Sequence, residues 1–358
     1  MDLFSIAKDT LNYNSIINFD LFINSSSVKE SHFVCIHNAG KVFTKSQFDN
    51  FYRKVENFYV KETDRSKYLD SLTNNNKSLK EKARVIKDLA LSSLENLFET
   101  KVDDPSAIVH AVDNCFDAAK TIAQMAKNTS IGDLHSLLGE LNFHDHYTFD
   151  HSINVGMYNV SILKALKPNA SEDELVTASL AGILHDIGKM KIPNKILNNI
   201  GKLSDKDFLK IKQHPLLGEA LLRPLKFKFK DKSLESIIRV VLEHHENIDG
   251  SGYPYGLKSN EISLLSKITA ISDFFDAVTT KRSYQKTWTI PEALSLMSTT
   301  IGKKIDPDIF LAFIDSLNAE VKDNLDIEID MDYDFGSGLE RFKLKRKNKI
   351  IDEKRKIS

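Results

Sequence analysis

The sequence predicts a mainly helical protein that carries a small α+β module at its N-terminus. Three observations lead there. Short apolar runs broken by turn residues fill positions 1–72. Between Ser78 and Lys127 the chain is nearly free of Gly and Pro and rich in the helix formers Leu, Ala, Lys and Glu. Beyond that, apolar residues recur at i, i+3, i+4 and i+7, the period of a helix with one buried face. The expected organisation is an α+β module over 1–72 with a regulatory role, a helical linker over 73–127, a helical catalytic domain over 128–320, and an extension over 321–358.

Within the module, Leu21-Phe22-Ile23, Phe33-Val34-Cys35-Ile36 and Phe58-Tyr59-Val60 read as strands, and Phe48, Phe51, Tyr52 and Val55 keep a helical spacing. His32 and His37 have no acidic or histidine cluster around them and read as surface or capping residues. The linker should hold two long helices, the second opening with Pro105 in its first turn and carrying the stripe Ile108, Val112, Cys115, Phe116 and Ala119. Such a stripe packs inside the protein or forms a homodimer contact. The last twenty residues gather Arg341, Lys343, Lys345, Arg346 and five further basic residues into a tail that should be solvated and disordered.

At 358 residues, 41% hydrophobic and 28% charged, the chain is long enough for two or three domains. Forty-nine basic against fifty acidic residues give no global electrostatic reason to bind nucleic acid or an anionic membrane. The two cysteines, Cys35 and Cys115, indicate neither a disulfide framework nor a thiolate metal site, and a reducing cytoplasm suits them. No stretch approaches the roughly 20 apolar residues that span a bilayer, so a soluble, cytoplasmic protein is expected.

The chemistry is written in the helical domain. Ile237, Val241, His244 and His245 continue one inward helical face, and Gly250, Gly252 and Pro254 then turn and stop the chain. Two inward imidazoles can share one ion, or they can be hydrogen-bonded core residues. His151 lies on the same face as Val155, Tyr158 and Ile162. A helix opened by the capping box Ser171 and Glu174 leads to His185-Asp186, where one carboxylate can bridge two ions while the imidazole holds one. Lys189, three residues past Asp186, can reach a bound phosphate. His214 precedes Pro215 at a helix start, and Asp273 shares a helix side with Thr269, Asp276 and Thr280 on a segment running from about Ile262 to Thr280.

Taken in order, His185-Asp186-Ile187-Gly188-Lys189, His214-Pro215 with Gly218, His244-His245, Gly250-Ser251-Gly252-Tyr253-Pro254, then Asp273, Asp276-Ala277 and Arg282 resemble the HD-GYP family. These are metal-dependent phosphodiesterases of bacterial cyclic di-GMP signalling, built on the helical bundle of the HD superfamily. The resemblance runs from Leu134 to Leu317. It implies the metal ligands His151, His185, Asp186, His214, His244, His245 and Asp273, with Asp186 joining two divalent ions, iron or manganese. It implies hydrolysis of cyclic di-GMP to linear pGpG, and slowly on to GMP, by a dinuclear-metal-activated water, with Asp186 and Lys189 in catalysis. Lys189, Tyr253, Arg282 and Lys286 become substrate contacts; Gln285 stands where family members carry a basic residue, and Lys286 follows it. Two ions are expected in place of three because Tyr147 occupies the position, four residues before His151, where some members carry a glutamate. The alternatives are an HD-type hydrolase of another nucleotide such as guanosine tetraphosphate, for which a simpler ligand set suffices, and a receptor that binds a cyclic dinucleotide without turnover.

Overall fold

The computed structural model describes residues 3–73 apart from 7, 26–31 and 56, single positions between 90 and 98, then 103–127, 147–197, 204–279 apart from 228 and 230, 288–317, 325–328 and 343–346. Most of the first linker helix, the start of the helical domain near Ile131, Arg282, Lys286 and the end of the basic tail lie outside the described residues.

The N-terminal module is built on strands β1 (Leu3–Ile6), β2 (Ser15–Ile17), β3 (Leu21–Asn24), β4 (Phe33–His37), β5 (Lys41–Phe43) and β6 (Phe58–Lys61). One antiparallel sheet has the order β1-β6-β3-β4, and β2 pairs with β5. Helix α1 (Lys45–Tyr52) starts at a capping box in which Thr44 and Gln47 satisfy each other's backbone N–H. Alternate residues of the strands face one side, so Leu21, Phe43, Phe58 and Val60 close around Phe19 and Tyr68, the last on α2 (Arg65–Thr73). The Tyr68 hydroxyl donates to Thr10 Oγ1 at 2.7 Å, which keeps this buried phenol satisfied.

A second, separate core runs through the helices. Pro105 opens α3 (Pro105–Lys127), and Ile108, Val112, Cys115 and Ala119 are buried along it. Helix α4 (Tyr147–Leu166) and α5 (Glu172–Leu184) follow. The capping box of Ser171 and Glu174 is present, and α5 is buried on almost every side from Leu175 onward because α3, α4 and α9 (Asp231–Glu243) all pack on it. Helices α4 and α5 meet where Gly156 faces Gly182: a Cβ at Gly182 would stand 2.6 Å from the Gly156 backbone. Only hydrogens fit there, so the two backbones touch.

A 3-10 turn (Ile187–Lys191) and the short α6 (Asn194–Leu197), α7 (Asp205–Ile211) and α8 (His214–Leu222) then lead to α9, α10 (Leu264–Thr279), α11 (Ile290–Ser298) and α12 (Pro307–Ser316). Ile268, Ile271 and Phe275 of α10 face the core, as their spacing predicts. No helix among the described residues is long and apolar enough to cross a membrane.

One expectation fails in the C-terminal extension. Lys343–Arg346 forms a strand, β8, paired antiparallel with β7 (Leu325–Glu328), where the sequence suggests disorder. The backbone register sets Lys345 across from Asp326 and Lys343 across from Glu328.

Candidate metal centre

Five segments bring the ligand-type residues together. Helix α4 supplies His151, the end of α5 supplies His185 and Asp186, the first residue of α8 is His214, the turn after α9 carries His244 and His245, and α10 carries Asp273. The histidine pair follows the assigned helix, although His244 N–H still donates to Val240 O at 3.0 Å in helical fashion. Their donor atoms fall into two sets, Asp186 with His214, His244 and His245, and His151 with His185 and Asp273, the atoms of each set lying within 4.8 Å of one another.

Asp186 stands between the sets. Its Oδ2 is 3.2 Å from His185 Nε2, while its Oδ1 is 3.2 Å from His214 Nε2 and 3.9 Å from His244 Nε2. Lys189 also donates to Oδ2, which places the ammonium at the mouth of the cluster.

The imidazoles are held from behind. His185 Nδ1 donates to Gly182 O at 2.7 Å, His214 Nδ1 to Ile211 O at 2.8 Å and His244 Nδ1 to Val240 O at 3.0 Å. A carbonyl can only accept, so each of these rings carries its proton on Nδ1 and turns the Nε2 lone pair inward. Nε2 of His214 then lies 3.2 Å from Nε2 of His244, two lone pairs facing each other. His185 Nε2 and Asp186 Oδ1 are buried without a hydrogen-bond partner despite their close neighbours. A cation placed among these atoms would satisfy all of them at once, which is the test that the residues pass for holding divalent metal. Two buried His/Asp clusters of this kind are consistent with a dinuclear site.

The electrostatics differ between the sets. Burial disfavours a charged His151, but Asp273 and Asp276 outweigh it and raise its pKa to about 10. The carboxylates that favour a proton there favour any cation. In the other set, burial lowers His245 to about 4, and burial with the neighbouring imidazoles holds His244 well below the usual histidine range. Both rings are therefore neutral at pH 7, the form that binds metal. Burial raises the Asp186 pKa, yet the positive charge around it, the Lys189 ammonium included, prevails and holds it well below the usual carboxylate range.

Glycine contacts fix this arrangement. A Cβ on Gly188 would collide with His214 O and lie 2.5 Å from Gly218 N, so the turn after Asp186 presses directly on the start of α8. The Gly-rich loop is anchored by Glu246, which is 3% exposed and accepts from the N–H groups of Tyr255, Gly256 and Leu257 at 2.7, 3.1 and 3.0 Å. Tyr253, joined to Pro254 by a cis peptide, lays its ring against His245, with centroids 4.8 Å apart and planes at 24°. Lys212 Nζ is 4.7 Å from the same ring's centroid.

The structure thus gathers His151, His185, Asp186, His214, His244, His245 and Asp273 into one place, with Lys189 and Tyr253 at its edge. Sequence reasoning missed Asp276, which accepts from His151 Nδ1 at 2.7 Å and from Asn154 at 2.8 Å, and it gave Glu246 no role. The position of Asp276, three residues after Asp273 on the same helix side, was the available signal for the first; a loop clamp leaves none.

Comparisons agree with this geometry. The HD domain family model matches residues 144–309. A cyclic di-GMP phosphodiesterase of Pseudomonas aeruginosa, PA4108, is 40% identical over 178 residues, 49% of this chain and 41% of that protein. The 3'3'-cGAMP-specific phosphodiesterase 3 of Vibrio cholerae is 34% identical over 48% of this chain and 36% of its own length. A cyclic di-GMP phosphodiesterase of Thermotoga maritima is 33% identical over 55% of this chain and 51% of its own. The chain thus spans about half or less of the length of each of these relatives. Among solved structures, Bd1817, an HDG"Y"P protein from Bdellovibrio bacteriovorus, superposes with a TM-score of 0.52 over 90% of this chain and all of that one, at 20% identity, a likeness of fold.

Proposed function

We propose that this chain, whose residues 144–309 match the HD domain family model, is a metal-dependent phosphodiesterase of cyclic dinucleotides, with cyclic di-GMP as the first substrate to test. The observation that carries the reading is the convergence of Nε2 lone pairs on the two oxygens of buried Asp186. Relatives named for cyclic di-GMP and for 3'3'-cGAMP both support the substrate class, and the second keeps cGAMP as an alternative substrate.

When bound, paired divalent ions, iron or manganese, would lower the pKa of water and neutralise phosphoryl charge. Asp186 would hold both ions, His151, His185 and Asp273 one of them, and His214, His244 and His245 the other. The carbonyls behind the rings keep the donors pointed inward before substrate arrives, so little reorganisation is left for the reaction itself. Water attacks phosphorus in line, a P–O bond forms, and the bond to the ribose 3′-oxygen breaks, that oxygen leaving with a proton. Lys189 offers its ammonium to the phosphoryl oxygens. Tyr253 presents an aromatic face to guanine, and Arg282 and Lys286 complete the substrate contacts proposed from the sequence.

The test is incubation of purified protein with Mn²⁺ or anaerobic Fe²⁺ and each cyclic dinucleotide in parallel, followed by product chromatography and metal analysis. Linear pGpG should appear before GMP, with two ions bound per chain, since Tyr147 supplies no carboxylate for a third. Absence of turnover of both dinucleotides by metal-loaded protein would refute the function; three ions, or GMP without a lag, would refute the stoichiometry and the product order.

A further inference from the structure

We infer that Lys212 is a substrate-contacting residue that takes the second phosphodiester of a cyclic dinucleotide while the first lies at the metal centre. The inference rests on the function proposed above.

Lys212 is the C-cap of α7, and its N–H donates to Phe208 O at 3.0 Å. Two residues later His214 enters the ligand cluster. So the Lys212 backbone is tied to the centre through a turn closed by helices on both sides. Its side chain is half-buried and reaches Tyr253, with Nζ 4.7 Å from the ring centroid, and the same ring packs on His245 of the cluster. On its own helix, Nζ lies 5.5 Å from the Phe208 ring.

Aromatic faces attract an ammonium and fix its position, but they do not neutralise it. Among the described residues no carboxylate pairs with Lys212. Its neighbours differ: Lys189 is engaged with Asp186, and Lys210 with Asp207 at 2.9 Å. A positioned ammonium without a counter-anion, beside the ring that borders the metal centre, is suited to an anion brought by the ligand. A cyclic dinucleotide brings two phosphodiesters, and only one can occupy the metal centre.

The experiment uses the full chain loaded with Mn²⁺ and compares wild type, Lys212→Gln and Lys212→Arg in steady-state hydrolysis of cyclic di-GMP and of 3'3'-cGAMP. Loss of one charge-assisted contact should raise KM roughly tenfold in the Gln variant, with kcat within about twofold, metal content kept, and the Arg variant close to wild type. The wild-type KM should also rise with added salt more steeply than that of the Gln variant, a difference that a purely structural lysine would not produce. An active wild type with an unchanged KM in the Gln variant overturns the inference alone, as does a KM rise that comes with metal loss. A metal-loaded wild type that cleaves neither dinucleotide overturns the proposed function, and this inference falls with it.

Discussion

The N-terminal sheet module and the helical region each bury histidine, and they use it differently. In the module, His37 is 5% exposed, its Nε2 bonds to Lys41 O at 3.1 Å, and its ring packs edge-on to Phe43. It is a core residue, more buried than a surface or capping histidine would be. In the helical region, His185, His214 and His244 use Nδ1 in the same way, on a backbone carbonyl, but their Nε2 atoms crowd other donors. Burial does not separate the two cases. What does is whether the second nitrogen faces a set of lone pairs that cannot bond one another. No side chain of residues 3–73 appears among the buried unpaired polar atoms of the described residues, whereas His185 and Asp186 do. Buried polarity folds one region and equips the other.

Three substitutions can break that contrast. Asp186→Ala should have the largest effect, removing the carboxylate shared by both sets: hydrolysis should fall on the order of 10³-fold or more, with metal lost from both positions. Retention of two ions in a folded variant would mean that Asp186 does not join them. Next comes Asp276→Asn, which keeps the shape but loses the charge behind His151; metal affinity should drop roughly 10- to 100-fold, read by competition with a chelator. Unchanged affinity would leave Asp276 a packing residue. The smallest effect belongs to His37→Gln, which should cost about 1 kcal/mol of stability by denaturant unfolding and leave metal content and turnover as in wild type. Metal loss there would erase the distinction between the regions.

Much of the site was legible because its residues sit on regular periods. Ile237 and Val241 share the inward face of α9, which His244 continues just past its end, and the apolar side of α10 locates Asp273 on another. The strands around Phe58 and Leu21 were equally plain, for alternation and turn residues mark them. Pairings across long stretches of chain were not legible. His151 meets Asp276 across 125 residues, and nothing local to either announces the other. Glu246 was in view, but its three backbone partners exist only once the loop has closed over it. Nothing local to Lys212 announces Tyr253, which arrives from beyond α9. The strand Lys343–Arg346 was hidden by composition: its charge suggests solvation, and its backbone partner lies upstream at Leu325–Glu328.

The glycine contact at Gly188 has a consequence for ion selection. His185 and Asp186 precede that turn, His214 begins the helix pressed against it, and backbone touches backbone between them, with no side chain to yield. The contact therefore works as a rigid ruler between those ligands. Any adjustment to ion radius would fall to the Asp273 side chain on α10, which is 22% exposed against 9% for Asp186.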